Sequence, residues 1–147
     1  MCGFLFSITG INEIIPKNNF LNILQTLNRR GPDDEGYYQT DINNFQLKFG
    51  FKRLSIQDLS TNGHQPKISS LKSVIIFNGE IYNHKILRKQ LINEKSISLN
   101  SSGDTETLIN YLDNFGVEKF LNNCEGMFSI IYFNKNTNKL YFIRDVA

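Results

Sequence analysis

Cysteine is scarce in this chain: Cys2 and Cys124 are the only two among 147 residues. Two cysteines cannot build a disulfide framework, and they do not form a C-x-x-C pair. The sequence therefore offers no metal site of that kind and suits a reducing, cytoplasmic compartment. Basic runs are absent too. None is longer than a pair such as Arg29-Arg30, and the formal charge is only +2, which argues against a nucleic-acid partner. No apolar stretch approaches the roughly 20 residues that a membrane-spanning helix needs. The apolar start CGFLFSITGI lacks the basic flank and small-residue cleavage site of a signal peptide, so no membrane partner is expected. No repeat, linker or low-complexity tract divides the chain. With 40% hydrophobic and 20% charged residues, residues 1–147 read as one globular domain with room for a single core.

What is present begins at the second residue. Cys2 follows the initiator Met1 and precedes a glycine. Removal of Met1 would place a thiol and a free α-amine on one residue. An α-amine titrates near ~7.7–8.0 and a thiol near ~8.5, so a neutral amine can take the thiol proton directly or through one water. That arrangement is a self-contained nucleophile and base. Taken alone, Cys2 could equally be a small apolar residue opening a strand.

The order of elements predicts fold class. Cys2 to Ile8 is an apolar run of strand length. Asn18 to Arg30 places Phe20, Ile23, Leu24 and Leu27 on one helical face, with Gly31 and Pro32 to end it. Gly36 to Thr40 and Phe45 to Leu54 read as strands, the second alternating Phe45, Leu47, Phe49, Phe51 against Gln46, Lys48, Gly50, Lys52. Ser60 to Ser70 reads as a loop. Lys72 to Phe77 is a β-branched strand running into Asn78-Gly79, a dipeptide suited to a turn. Asn83 is placed to cap a helix carrying Ile86, Leu87 and Leu91. A further helix spans Ser102 to Phe115, stopped by Gly116, and a hairpin joins Met127–Phe133 to Lys139–Ile143. Strand-rich ends with few amphipathic helices predict an α+β sandwich of sheets covered by helices. The chain stops at Arg144-Asp145-Val146-Ala147, directly after a hydrophobic strand, which raises the expectation of a domain truncated at its C-terminus.

Four polar clusters fall at strand ends or helix starts: RGPDDEG (Arg30 to Gly36), RLSIQD (Arg53 to Asp58), FNGEIYN (Phe77 to Asn83) and SGDTE (Ser102 to Glu106). Such positions are where a rigid scaffold presents functional groups. In order, MCG, RGPD, RLSI, GxQP (Gly63 to Pro66), NGEIYN, GDTE, EGMF and RD resemble the glutamine-hydrolysing domain of asparagine synthetase. That domain is a class II glutamine amidotransferase of the N-terminal-nucleophile hydrolase superfamily. NGEIYN with an upstream RLSI and a downstream GD is the most specific part. The chain departs from the family's usual pattern just before RLSI, where it has Phe51-Lys52.

The resemblance implies a four-layer αββα sandwich of two antiparallel sheets flanked by helices. It also implies hydrolysis of the glutamine side-chain amide, with Cys2 as nucleophile and the Asn78 side-chain amide and Gly79 N–H as the oxyanion donors. For L-glutamine's zwitterionic end it implies Arg53 for the α-carboxylate, Asp104 assisted by Glu80 for the α-ammonium, and backbone around Ile56 and Gln57 as pocket wall. Arg53 could otherwise be a surface residue, Asp104 a helix N-cap and Asn78-Gly79 a plain turn. Arg30 and Asp33 are read as loop-building or pocket-contacting, His64 and His84 as solvated, and Cys124 as inert packing. The implied partner is a C-terminal ATP-dependent synthetase domain making asparagine from aspartate. ATP and Mg are expected only there, with no cofactor or metal in this domain, and a homodimer is left open. The competing readings are an amidotransferase serving another acceptor, such as a sugar acid, and a catalytically silent glutamine-binding regulatory module.

Overall fold

A computed structural model of the chain describes residues 2–55 and 61–146. The strands are β1 (Gly3–Gly10), β2 (Asp34–Ile42), β3 (Phe45–Arg53), β4 (Lys67–Ile68), β5 (Val74–Ile81), β6 (Gly126–Asn134) and β7 (Lys139–Arg144). The helices are α1 (Lys17–Gln25), α2 (His84–Lys95) and α3 (Asp104–Asn123). Two antiparallel sheets form, ordered β1-β3-β2 and β4-β5-β6-β7. This is the expected α+β sandwich. Among the described residues no helix is long and apolar enough to cross a membrane.

The period-2 alternation of strands sorts the side chains into layers. Leu47, Phe49 and Phe51 of β3 meet Val74 and Ile76 of β5 and Ile131 and Phe133 of β6, with Cys2, Phe4 and Phe6 packed alongside. The alternate residues of the second sheet, Ile75, Phe77, Ile130 and Tyr132, form a larger core with Leu87 and Leu91 of α2 and Leu108, Ile109, Leu112 and Phe120 of α3. Fully burying each such side chain contributes about 1.5–3 kcal/mol. On the outer face of the first sheet, Phe20 and Leu24 of α1 pack over Gly50. The layers are therefore α1, sheet, sheet, and α2 with α3.

Several boundaries differ from the sequence expectation. α1 ends at Gln25, and the chain continues to Arg30 through three-residue turns, with Leu27 N–H bonded to the Leu24 carbonyl and Arg30 N–H to that of Leu27. Gly116 does break the third helix, at φ 82°, but helical structure resumes and runs to Asn123. Asn83 precedes α2 without capping it. Its side chain instead donates to the Asn123 carbonyl (2.7 Å) and accepts from the Glu125 N–H (3.0 Å), tying the start of α2 to the end of α3. The polar row of β3 is covered as well: Gln46, Lys48 and Lys52 are buried. Lys48 Nζ donates to the Ile15 carbonyl, while Lys52 pairs with Glu35 and bonds Gln25 (3.1 Å) and Asn28 (3.3 Å).

Candidate active site

The same alternation that builds the inter-sheet core delivers polar groups to its open end. One step beyond Phe51 on β3 is Arg53, and one step beyond Ile76 on β5 is Asn78, paired in register with Ser129 of β6. Cys2 stands at the matching end of β1. A cavity of about 640 Å³ opens there, lined by Cys2, Arg53, Asn78, Gly79, Glu80 and Asp104 together with Phe51, Gln65, Ser129 and Asp145. Six residues singled out by sequence thus share one cavity. Ile56 and Gln57 lie outside the described residues.

Cys2 is half-buried. Its Sγ lies 3.3 Å from the Leu54 N–H, which donates to it, and 3.7 Å from the Leu54 carbonyl, to which the thiol can donate. Arg30 does not line the cavity. Its Nε donates to the Cys2 carbonyl (3.2 Å), and Asp33 accepts from the Ser55 N–H (2.7 Å). The RGPD loop therefore fastens the starts of two cavity-forming segments, the loop-building role. Arg53 is almost fully buried, and its guanidinium lies over Gly63, where a Cβ would come within 2.1 Å of it.

Asn78-Gly79 is not a turn. β5 runs straight through it to Ile81. Gly79 adopts φ +143°, and a Cβ there would sit 2.1 Å from the Met127 carbonyl oxygen. Glycine is required here both by conformation and by the approach of β6. Its backbone stays exposed to the cavity.

Asp104 is the first residue of α3, with Gly103 in the cap position. Its Oδ2 accepts from the Ile81 N–H at 3.4 Å. Burial pushes the Asp104 carboxyl above the usual carboxylate range, against the opposing effects of the Ile81 N–H and the His84 charge. Two residues on, Glu106 is buried and accepts from the Asn100 N–H (3.0 Å), the Ser101 N–H (2.6 Å) and the Ser101 hydroxyl (2.7 Å). Burial pushes this carboxyl up as well. The three hydrogen bonds and the Lys67 charge outweigh that effect and hold it below its ordinary value.

The histidines lie outside the cavity lining. His64 is exposed and pairs with Asp34 at 2.8 Å; His84 is half-buried rather than solvated, with its Nδ1 enclosed. Cys124 is half-buried against the α2/α3 core, and burial pushes its thiol up. Sequence reasoning assigned no role to Gln65, Ser129 or Glu106. The period-2 row of β6 points to Ser129, and the GxQP and GDTE strings contain the other two.

The family model described as "Glutamine amidotransferase domain" matches residues 1–147. A probable glutamine-hydrolysing asparagine synthetase of Acanthamoeba polyphaga mimivirus is 34% identical over 145 residues, covering 99% of this chain and 26% of that protein. Asparagine synthetase [glutamine-hydrolyzing] 1 of Bacillus subtilis (strain 168) is 35% identical over 153 residues, covering 99% and 22%. Asparagine synthetase [glutamine-hydrolyzing] 1 of Arabidopsis thaliana is 31% identical over 147 residues, covering 99% and 24%. The chain spans about a quarter of the length of these curated relatives. A sandwich whose open end gathers Cys2, Arg53, Asn78, Gly79 and Asp104, matched along its whole length by the family model, belongs to the glutamine amidotransferase domain family.

Proposed function

We propose that this domain hydrolyses the side-chain amide of glutamine through Cys2 and supplies the ammonia to an ATP-dependent synthetase domain that makes asparagine from aspartate. The observation that carries the reading is the single cavity shared by Cys2, Arg53, Asn78, Gly79 and Asp104. Relatives named as glutamine-hydrolysing asparagine synthetases support the acceptor. A cytoplasmic setting, in which both thiols stay reduced, fits the same reading.

In this scheme Met1 is removed and the freed Cys2 amine takes the thiol proton. The thiolate adds to the amide carbon of glutamine, and the carbonyl oxygen becomes an oxyanion held by the Asn78 side-chain amide and the Gly79 N–H. Losing one such donor typically costs ~2.7–4 kcal/mol of barrier. The protonated amine returns its proton to the leaving nitrogen, the C–N bond breaks, and ammonia departs from a γ-glutamyl thioester. Water, deprotonated by the same amine, then attacks the thioester. Glutamate leaves and the thiol is restored. Arg53 grips the α-carboxylate and Asp104, assisted by Glu80, the α-ammonium, so the reacting amide is positioned by the far end of the substrate.

The test is Cys2→Ala in the full-length protein. Glutamine-dependent asparagine formation should fall to background, while synthesis from added ammonia stays near wild type, because the acceptor is activated elsewhere. Normal glutamine-dependent synthesis by this variant would refute the nucleophile assignment.

A further inference from the structure

The two strands flanking β5 do not support it equally at the cavity. On one side β6 pairs with it along its whole length, including Asn78 with Ser129 and Gly79 with Phe128. On the other side β4 is two residues long and pairs only Lys67 with Ile75 and Ile68 with Val74. Continuing that antiparallel register would set Gln65 opposite Phe77, but β4 begins only at Lys67, so no backbone pair forms there. The ladder is completed there by a side chain. The Gln65 Oε1 accepts from the Phe77 N–H (2.6 Å) and its Nε2 donates to the Phe77 carbonyl (3.0 Å). A primary amide, with one acceptor and two donor hydrogens, reproduces both hydrogen bonds of a strand neighbour. Gln65 is 5% exposed, so neither bond competes freely with water.

We infer that Gln65 is a positioning residue for the oxyanion donors, acting through the Phe77–Asn78 peptide. The inference rests on the roles proposed above for Asn78 and Gly79. The carbonyl that Nε2 holds belongs to the peptide plane leading into Asn78, and the next plane carries the Gly79 N–H. Sites of this kind must be held to within about half an ångström to work. The Gln65 backbone is itself fixed against the other sheet: a Cβ on Gly36 of β2 would lie 1.8 Å from its carbonyl oxygen. Gln65 thereby couples the sheet bearing Cys2 and Arg53 to the strand bearing Asn78 and Gly79.

The experiment uses the full-length protein and steady-state glutamine hydrolysis, with thermal unfolding measured alongside. Gln65→Ala should lower kcat about tenfold or more, a fraction of the loss seen when an oxyanion donor itself is removed. Its glutamine KM should stay within about threefold of wild type, because Arg53 and Asp104 are untouched. Gln65→Glu gives a signature that loss of packing would not. As a carboxylate it still accepts from the Phe77 N–H but turns a second oxygen, with no proton, toward the Phe77 carbonyl. Protonated, it can donate there again. The ratio of wild-type to Gln65→Glu kcat should therefore shrink as pH is lowered. The ionisable groups that share its cavity are Cys2, Arg53, Glu80, Asp104, Arg144 and Asp145, and those beside it in the chain are His64, paired with Asp34, and Lys67, whose Nζ bonds the Asn62 carbonyl. They are common to both proteins, so the ratio cancels their own titration. Wild-type kcat in Gln65→Ala, or a pH-independent ratio for Gln65→Glu, would overturn the inference. Asn78→Ala is the companion variant. A large kcat loss there with none at Gln65 overturns the inference alone, whereas no loss at Asn78 overturns the oxyanion assignment and this inference with it.

Discussion

Asp104 and Glu106 stand two residues apart at the start of α3, yet the fold treats their carboxyls in opposite ways. Glu106 faces inward to the chain and receives three donors from Asn100 and Ser101, so its charged form is favoured despite burial. Asp104 lines the cavity and receives only longer side-chain and strand bonds, from the Ile81 N–H (3.4 Å) and the Thr105 hydroxyl (3.5 Å). Burial outweighs these and the neighbouring backbone N–H groups to raise its carboxyl above the ordinary range. A carboxylate already satisfied by protein donors has little left for a ligand. On the role proposed above for Asp104, a carboxylate held by longer bonds at a cavity wall gains most when an ammonium arrives. The contrast separates a residue that shapes the GDTE loop from one that lines the cavity.

The comparison can be broken most forcefully at Asp104. Asp104→Asn should raise the glutamine KM by about 10- to 100-fold, the loss expected of a charged hydrogen bond at ~1.5–3 kcal/mol. Its thermal stability at pH 7 should not fall. The sign follows from linkage. A carboxyl whose folded pKa is raised keeps its proton more readily in the native state, so wild-type stability from this group declines as pH rises. The asparagine variant escapes that loss, and its relative advantage should fade on acidification below the unfolded carboxyl's pKa. Wild-type glutamine affinity should also begin to fall at a higher pH than an ordinary carboxylate would dictate, because the binding form is the ionised one.

Glu106→Gln should show the reverse pattern. Stability at pH 7 should drop by about 1–3 kcal/mol, because an amide cannot accept from all three donors as the carboxylate does. Here the folded pKa is lowered, so the wild-type advantage is present above the unfolded value and lost as pH falls through the folded one. Denaturant unfolding at several pH values checks both signs. Ser101→Ala removes only the hydroxyl bond and should cost the least, about 0.5–1.5 kcal/mol, with little change in glutamine KM. A KM effect from Ser101→Ala as large as that from Asp104→Asn would erase the distinction between the two carboxylates.

Much of this site was legible in the sequence because the short strings that carry the family resemblance contain Cys2, Arg53, Asn78, Gly79 and Asp104. The fold then brings them together by the alternation of β3, which reaches Arg53, and of β5, which passes through Asn78. What was illegible depended on partners distant in the chain. Asn78-Gly79 has turn chemistry, but β6, some fifty residues later, pairs with it and keeps it in strand. Asn83 has cap chemistry, but the end of α3 takes its hydrogen bonds instead. The cover over the β3 lysines likewise comes from elsewhere in the chain: the Ile15 carbonyl, Gln25 of α1 and Asn28. Helix α1 carries its apolar periodicity past Gln25, where the chain changes to turns before Arg30 reaches the Cys2 carbonyl.

The central claim is that Cys2, freed of Met1, carries the acyl group during turnover. Acid-quenched mass spectrometry of the full-length protein mixed with glutamine reads this directly. The account predicts an N-terminal peptide that begins at Cys2 and bears a γ-glutamyl thioester. Active protein that retains Met1, or an acyl group found on Cys124 instead, would contradict it.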